Sequence, residues 1–223
     1  MDLTFEKIDM GTWHRAQSFY YYTEIVTPIS YTVNIDINVT RIRKAAKNRN
    51  LKFFPAYLYA VSRAILNQRE FRLAVKDGEL GSWNYLTPQY PVFHENSKTF
   101  SFLWTEYVED FNRFHESYME DARLYGNRAD LILPKGSPPG NCYIISCVPW
   151  FSFNGLSFHM QNVEGYYLPV FVSGAFREEN GDTFMPLSIT INHAAADGYH
   201  IHVFMNDLQR LMNQPEQWLI PCQ

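Results

Sequence analysis

Residues 192–198 have the sequence NHAAADG and directly follow the alternating run PLSITI at 186–191. Alternating apolar side chains are typical of a β-strand, and His193 keeps the parity of the apolar positions, so its imidazole is expected to point inward. Asp197 is a residue type that caps helices, and an apolar repeat at helical spacing follows over residues 198–211. The sequence therefore predicts a strand, a corner that carries a histidine, and a helix.

A histidine at such a corner is suited to proton transfer, because its charge changes near neutral pH. The small alanines between His193 and Asp197 leave room for another backbone or a ligand to approach closely. From these residues alone, a satisfied core histidine followed by an ordinary helix cap remains an equal alternative.

Composition favours a folded globular chain and argues against several kinds of partner. The chain has 223 residues, is 46% hydrophobic and has a formal net charge of −4, which is unlike a nucleic-acid-binding protein. No apolar run reaches membrane-spanning length, and residues 1–7 do not form an apolar leader. Cys142, Cys147 and Cys222 have neither a metal-binding spacing nor an even number. We therefore expect a cytoplasmic protein that binds neither membranes nor nucleic acids.

Patterns elsewhere in the chain predict a mixture of strands and helices. Asp77-Gly78 predicts a hairpin turn, and Pro55 is favoured in the first turn of a deeply packed helix. Further strands are expected near 31–37, 90–94, 99–105, 143–148, 156–160 and 167–176, with helices over about 40–48, 55–67 and from Asp110, and a loop at 126–140. We expect one α+β domain over residues 1–223, built as two layers with a large mixed β-sheet covered by helices.

The motif His193-x-x-x-Asp197-Gly198 after a strand resembles the active-site signature of CoA-dependent acyltransferases of the chloramphenicol acetyltransferase type. That family usually has two consecutive histidines, of which the second is the base; here Asn192 replaces the first. The resemblance implies that His193 is the general base, that acetyl-CoA is the co-substrate and that no metal is needed.

Other stretches carry the same resemblance. Ser146, in ISCVPW at 145–150, matches the serine that stabilises the oxyanion, although its residue type alone also fits a strand-end hydroxyl bonded to backbone. Arg15 matches the arginine that pairs with the aspartate, which implies a buried structural ion pair between Arg15 and Asp197. The resemblance also implies an acceptor pocket lined by Tyr22, Gln89, Phe100, Phe102, Phe158, Met160 and Val172. Val172 departs from the family, in which a threonine occupies that position.

Two other kinds of site were considered. His193 and Asp197 have a spacing that a metal could use, but His200 and His202 are two apart on a helix and would point to different sides. Cys147 could be a thiol nucleophile, but no matching base is evident, and a small core residue fits better.

The resemblance as a whole implies a chloramphenicol O-acetyltransferase that works as a homotrimer with its sites at subunit interfaces. The primary hydroxyl of a small-molecule acceptor, chloramphenicol, would attack acetyl-CoA directly. One alternative is an acyltransferase of the same fold that acts on a different alcohol or amine. Another is a non-catalytic trimer that binds CoA or a small apolar ligand.

Overall fold

The computed structural model describes residues 2–159 and 165–219. The helices are α1 Ala16–Tyr20, α2 Thr40–Asn48, α3 Phe53–Ile65, α4 Phe111–Tyr125 and α5 Gly198–Asn213, and a π-helical turn, Tyr21–Ile25, extends α1. The strands are β1 Phe5–Lys7, β2 Ser30–Asn38, β3 Leu73–Lys76, β4 Glu79–Trp83, β5 Thr87–His94, β6 Thr99–Trp104, β7 Cys142–Val148, β8 Val170–Gly174, β9 Arg177–Glu179 and β10 Asp182–Asn192.

The large sheet has the strand order β2-β10-β8-β7-β5-β6, and β9 pairs with one end of β10. Strand β7 runs parallel to both β5 and β8, whereas the other pairs in this sheet are antiparallel. A smaller sheet, β1-β4-β3, lies beside it. The prediction of a large mixed sheet covered by helices is confirmed.

Helix α3 forms the centre of the helical layer, because it is apolar nearly all round and packs against α2, α4 and α5. Its residues from Pro55 to Ile65 are buried except Arg63. One face of the sheet meets this layer: Tyr143 of β7 hydrogen-bonds Ser62 of α3, and Phe171 of β8 packs on Phe204 of α5. The core therefore lies between α3, α5 and this face.

Strand β10 is buried on both faces, as its position inside the sheet requires. Leu187, Ile189 and Ile191 face the helices and are fully buried. The polar residues between them are buried too, and both hydroxyls are satisfied: Ser188 donates to the Leu156 carbonyl at 2.8 Å, and Thr190 bonds Thr32 at 2.7 Å.

The hairpin predicted at Asp77-Gly78 is confirmed between β3 and β4, with φ angles of 53° and 80° at the two turn residues. The strand predicted near 156–160 is wrong for its described part. Residues 156–159 instead run irregularly over the sheet, where the Leu156 amide donates to the Asn34 side chain at 3.0 Å. Within residues 2–159 and 165–219, no helix is both long and apolar enough to cross a membrane.

Candidate active site

The corner between β10 and α5 is shaped by the side chain of Asn192. Its Oδ1 accepts from the Ala194 amide at 2.9 Å, and its backbone carbonyl accepts from the Ala195 amide at 3.0 Å. Asn192 is buried, and its Nδ2 donates to the Tyr166 carbonyl at 3.4 Å. Sequence reasoning assigned Asn192 no role, although asparagine favours turns because it bonds nearby backbone in this way.

His193 leaves this corner between two tyrosine rings. The Tyr22 ring stacks on the imidazole with centroids 4.2 Å apart and an interplanar angle of 15°, and the Tyr31 ring packs at 4.8 Å. The backbone amide of His193 donates to the Ile29 carbonyl at 2.8 Å, which holds the residue in place. Contact with two aromatic rings and this backbone hydrogen bond restrict the motion of the imidazole.

The two ring nitrogens of His193 have different surroundings. Nε2 lies 3.4 Å from the Tyr22 hydroxyl, whereas Nδ1 is buried and makes no hydrogen bond to the described residues. A hydroxyl group can therefore reach Nε2. For Nε2 to accept a proton in the neutral ring, the tautomer must carry its proton on Nδ1.

Asp197 caps α5 and binds Arg15. Its Oδ1 accepts from the Tyr199 amide at 3.0 Å, and its Oδ2 accepts from Arg15 Nη1 at 2.7 Å. Burial disfavours the charged form, but the hydrogen bond from Arg15 and the charges of His200 and Arg15 outweigh it, so the pKa of Asp197 lies below its usual range. The predicted ion pair between Arg15 and Asp197 is present, but only one partner is buried: the Arg15 side chain is 7% exposed and that of Asp197 is 38% exposed.

The contacts of His200 with two carboxylates near this corner were not predicted. The His200 imidazole lies between Asp197 and the buried Glu70, with Nδ1 2.8 Å from Asp197 Oδ1 and Nε2 3.7 Å from Glu70 Oε1. Sequence reasoning considered His200 only as a metal ligand, and nothing in the local pattern relates it to a carboxylate so far away in the chain.

Several predicted residues lie on the sheet face that points away from α3 and α5. The strand pairs show this, because Ser146 is opposite Val172, and Gln89 is opposite both Ile144 and Trp104. Residues opposite each other or two apart on one strand share a face. The predicted residues on this face are Gln89, Phe100, Phe102, Ser146 and Val172.

Exposure differs among the predicted pocket residues. Val172 is 2% exposed, whereas Phe100 and Phe158 are 42% and 45% exposed. Tyr22 is the predicted pocket residue that contacts His193. Met160, also predicted to line the pocket, lies outside the described residues.

Within one chain, Ser146 does not reach His193. Val172 pairs with Ser146 on one side and with Ser188 on the other, and β10 continues from Ser188 for roughly 13 Å before it ends at Asn192. Ser146 also lies two strands away from β10, and Phe100 and Phe102 lie on β6 at the far edge of the sheet. His193 and Tyr22 therefore lie at one end of β10, whereas Ser146, Phe100 and Phe102 lie on strands further across the sheet.

The other kinds of site considered find no support in this geometry. Burial raises the pKa of the Cys147 thiol, which disfavours the thiolate that a nucleophile requires. His202 points away from His200 and bonds Asn206 at 3.0 Å. Over residues 2–159 and 165–219, no group of three His, Cys, Asp or Glu side chains is placed to hold a metal ion.

Comparisons with known proteins agree on one family. The family model "Chloramphenicol acetyltransferase" matches residues 3–209. A chloramphenicol acetyltransferase from Staphylococcus aureus is 37% identical over 219 residues, covering 98% of this chain and 100% of the relative. One from Vibrio anguillarum is 37% identical, covering 93% of this chain and 94% of the relative.

Solved structures show the same fold. A chloramphenicol acetyltransferase superposes with a TM-score of 0.80 at 22% identity, covering 94% of this chain and 100% of that one. The dihydrolipoamide acetyltransferase of Azotobacter vinelandii superposes with a TM-score of 0.64 at 15% identity, covering 96% of this chain and 94% of that one.

Proposed function

This chain belongs to the chloramphenicol acetyltransferase family, whose members are CoA-dependent acetyltransferases, and we propose that it transfers the acetyl group of acetyl-CoA to the primary hydroxyl of chloramphenicol. The observation that carries this proposal is the surroundings of His193. Its Nε2 already has a hydroxyl beside it, that of Tyr22 at 3.4 Å, at the corner where the family places its base.

The proposed reaction is a direct transfer. Nε2 of neutral His193 takes the proton of the acceptor hydroxyl while that oxygen attacks the thioester carbonyl, and general-base help of this kind contributes roughly 10²–10⁴ in rate. The Ser146 hydroxyl donates to the oxyanion of the tetrahedral intermediate. The C–S bond then breaks, and the protonated His193 returns its proton to the departing CoA thiolate. The acetyl group thus moves directly from the CoA sulfur to the acceptor oxygen, and no acyl-enzyme forms.

The separation of Ser146 from His193 supports a site shared between subunits, and the family resemblance implies that the assembly is a trimer. An oxyanion donor must lie within hydrogen-bond distance of the carbonyl oxygen that the base-activated hydroxyl attacks. Since one chain holds these residues far apart, His193 and Tyr22 of one subunit would meet Ser146, Phe100 and Phe102 of its neighbour. The exposed ring of Phe100 would then be covered in the assembly.

A basic groove beside the end of β8 suits the nucleotide part of acetyl-CoA. The groove has a volume of 820 Å³, and its walls combine cationic side chains, Arg43, Lys44, Lys47 and Lys52, with the rings of Phe53 and Phe176. Cations attract phosphate groups, and aromatic rings stack on adenine. Phe176 follows shortly after Val172, the residue opposite Ser146, so the groove lies near the end of the strand beside the proposed oxyanion donor.

The decisive experiment measures release of the CoA thiol from acetyl-CoA with chloramphenicol and a panel of other alcohols and amines. We expect turnover with chloramphenicol, loss of turnover when its primary hydroxyl is blocked, and loss in His193→Ala. Turnover with another alcohol or amine in place of chloramphenicol would favour an acyltransferase of the same fold with a different acceptor. Binding of CoA without turnover on any acceptor would favour a non-catalytic protein.

A further inference from the structure

His200 connects the start of α5 to a part of the molecule that takes no direct part in the proposed reaction. On one side its imidazole meets Asp197, and on the other it meets Glu70, which lies in the 3₁₀ turn Arg69–Arg72. The side chains of His200 and Glu70 are each 11% exposed. The imidazole therefore bridges carboxylates from two different parts of the chain.

The contacts of the imidazole can be assigned to its two nitrogens. Nδ1 either accepts from the Asp197 amide at 3.2 Å or donates to Asp197 Oδ1 at 2.8 Å, because one nitrogen cannot do both in a given protonation state. When Nδ1 accepts from the Asp197 amide, the ring's proton must be on Nε2. When Nδ1 donates to Asp197 Oδ1, Nε2 carries a proton only if the ring is charged. Nε2 faces Glu70 Oε1 at 3.7 Å, which is an electrostatic contact rather than a hydrogen bond.

Glu70 is a rigid support because the turn that holds it is firmly attached. Phe71 is fully buried and packs on Phe204 of α5 at 5.0 Å, and Arg72 donates to the carbonyls of Trp83 and Leu66. The Glu70 carboxylate also lies 4.0 Å from Nε2 of His14, whose side chain is 76% exposed, and it interacts electrostatically with the guanidinium of Arg72.

The same cluster includes Arg15, the neighbour of His14, which binds the other oxygen of Asp197. Arg15 precedes α1, and its backbone carbonyl accepts a hydrogen bond from the Phe19 amide at 2.8 Å; the π-helical turn after α1 carries Tyr22. Asp197 is therefore held from two directions. Arg15 links it to the segment that stacks Tyr22 on His193, and His200 links it to Glu70.

We propose that His200, supported by Glu70, is a positioning residue for His193, a role that rests on the proposed acetyl transfer. Three alanines separate His193 from Asp197, and all three are fully buried. A displacement of Asp197 is therefore passed to the imidazole rather than absorbed by a flexible loop. Small misplacements of a catalytic group cost large factors in rate, so this link affects kcat.

The test uses a substitution that separates capping from support. Glutamine is a favoured residue at this third helical position, because its side chain can bond the capping residue's amide, so His200→Gln keeps the cap but loses the imidazole facing Glu70. His202→Gln is the matched control, since His202 is exposed two residues further along α5. We expect His200→Gln to lower kcat about tenfold with unchanged KM for both substrates and an unchanged Tm. His202→Gln is expected to behave as the parent.

Two further measurements make the result decisive. Glu70→Gln should lower kcat similarly, and the double variant should lose no more than either single variant. The ring nitrogen NMR shifts of His193 should change in His200→Gln and not in His202→Gln. If His200→Gln keeps the parental kcat and His193 shifts while His200→Ala loses stability, His200 is only a cap and the proposal is wrong. If the parent protein acetylates nothing, the proposed function fails, and the NMR shifts alone still decide whether His200 positions His193.

Discussion

Arg15 and Asp197 form an ion pair in which the two partners are unequally buried: the Nη1–Oδ2 distance is 2.7 Å, and their side chains are 7% and 38% exposed. The arginine is enclosed by the protein, whereas the carboxylate at the start of α5 is partly reached by water. Breaking the pair should therefore lower the free energy of unfolding by an amount that depends on which partner is changed.

Asp197→Asn keeps a capping side chain but leaves the buried Arg15 without its counter-charge, so we expect it to lower the free energy of unfolding by about 3 kcal/mol. Arg15→Ala leaves only a partly solvated carboxylate and should cost about 1 kcal/mol. Urea unfolding of the two single variants and of the double variant measures these changes in the free energy of unfolding. The double variant should cost less than the two singles added together, and strict additivity would mean that the pair is not coupled.

Because the pKa of Asp197 is lowered, the stability that its carboxylate contributes to the fold depends on pH. Its pKa is lower in the folded than in the unfolded chain, so the carboxylate stabilises the fold at every pH above its ordinary range and loses this effect as the pH falls through the lowered value. The Tm difference between the parent and Asp197→Asn should be present above about pH 5 and shrink as the pH falls below about 4. A difference that grows on acidification would contradict this assignment.

His193→Ala should remove nearly all acetyl transfer while leaving CoA binding and the oligomeric state unchanged. The imidazole packs between Tyr22 and Tyr31, and its Nε2 is the group proposed to take the acceptor's proton. Steady-state rates measure the loss of acetyl transfer, titration measures CoA binding, and sedimentation measures the oligomeric state. A rate within tenfold of the parent would mean that another group removes the proton.

Ser146→Ala should lower kcat by roughly 10²-fold with little change in the KM for the acceptor, because an oxyanion donor acts mainly in the transition state. A large KM effect with kcat unchanged would instead make Ser146 a binding residue.

Mixing His193→Ala chains with Ser146→Ala chains tests whether one active site combines residues of two subunits. Chains with His193→Ala and chains with Ser146→Ala, refolded together, should regain part of the parental activity, because a site between them can combine His193 of one chain with Ser146 of the other. Each variant refolded alone should keep its own low rate. Mixed oligomers without any recovery would place both residues of a site in one chain, against the separation seen along β10.

The local elements of this protein were largely predictable from the sequence. The alternation before His193, the apolar repeat after Gly198 and the Asp77-Gly78 turn each depend on neighbouring residues, and β10, α5 and the hairpin follow them. The segment at 156–159 was mispredicted as a strand, because apolar alternation also suits a segment that lies across a sheet and bonds to it through single contacts. The family and the candidate base also followed from the sequence, since they rest on a short motif.

What only the tertiary structure decided is which distant residues meet. Strand order and register separate Ser146 from His193 within one chain, and no local pattern encodes strand order. The turn contacts of Asn192, the unequal burial of Arg15 and Asp197, and the approach of His200 to Glu70 likewise depend on packing between elements far apart in the chain. Periodicity specifies the face on which a side chain lies, whereas its partners are selected by the burial of the whole core.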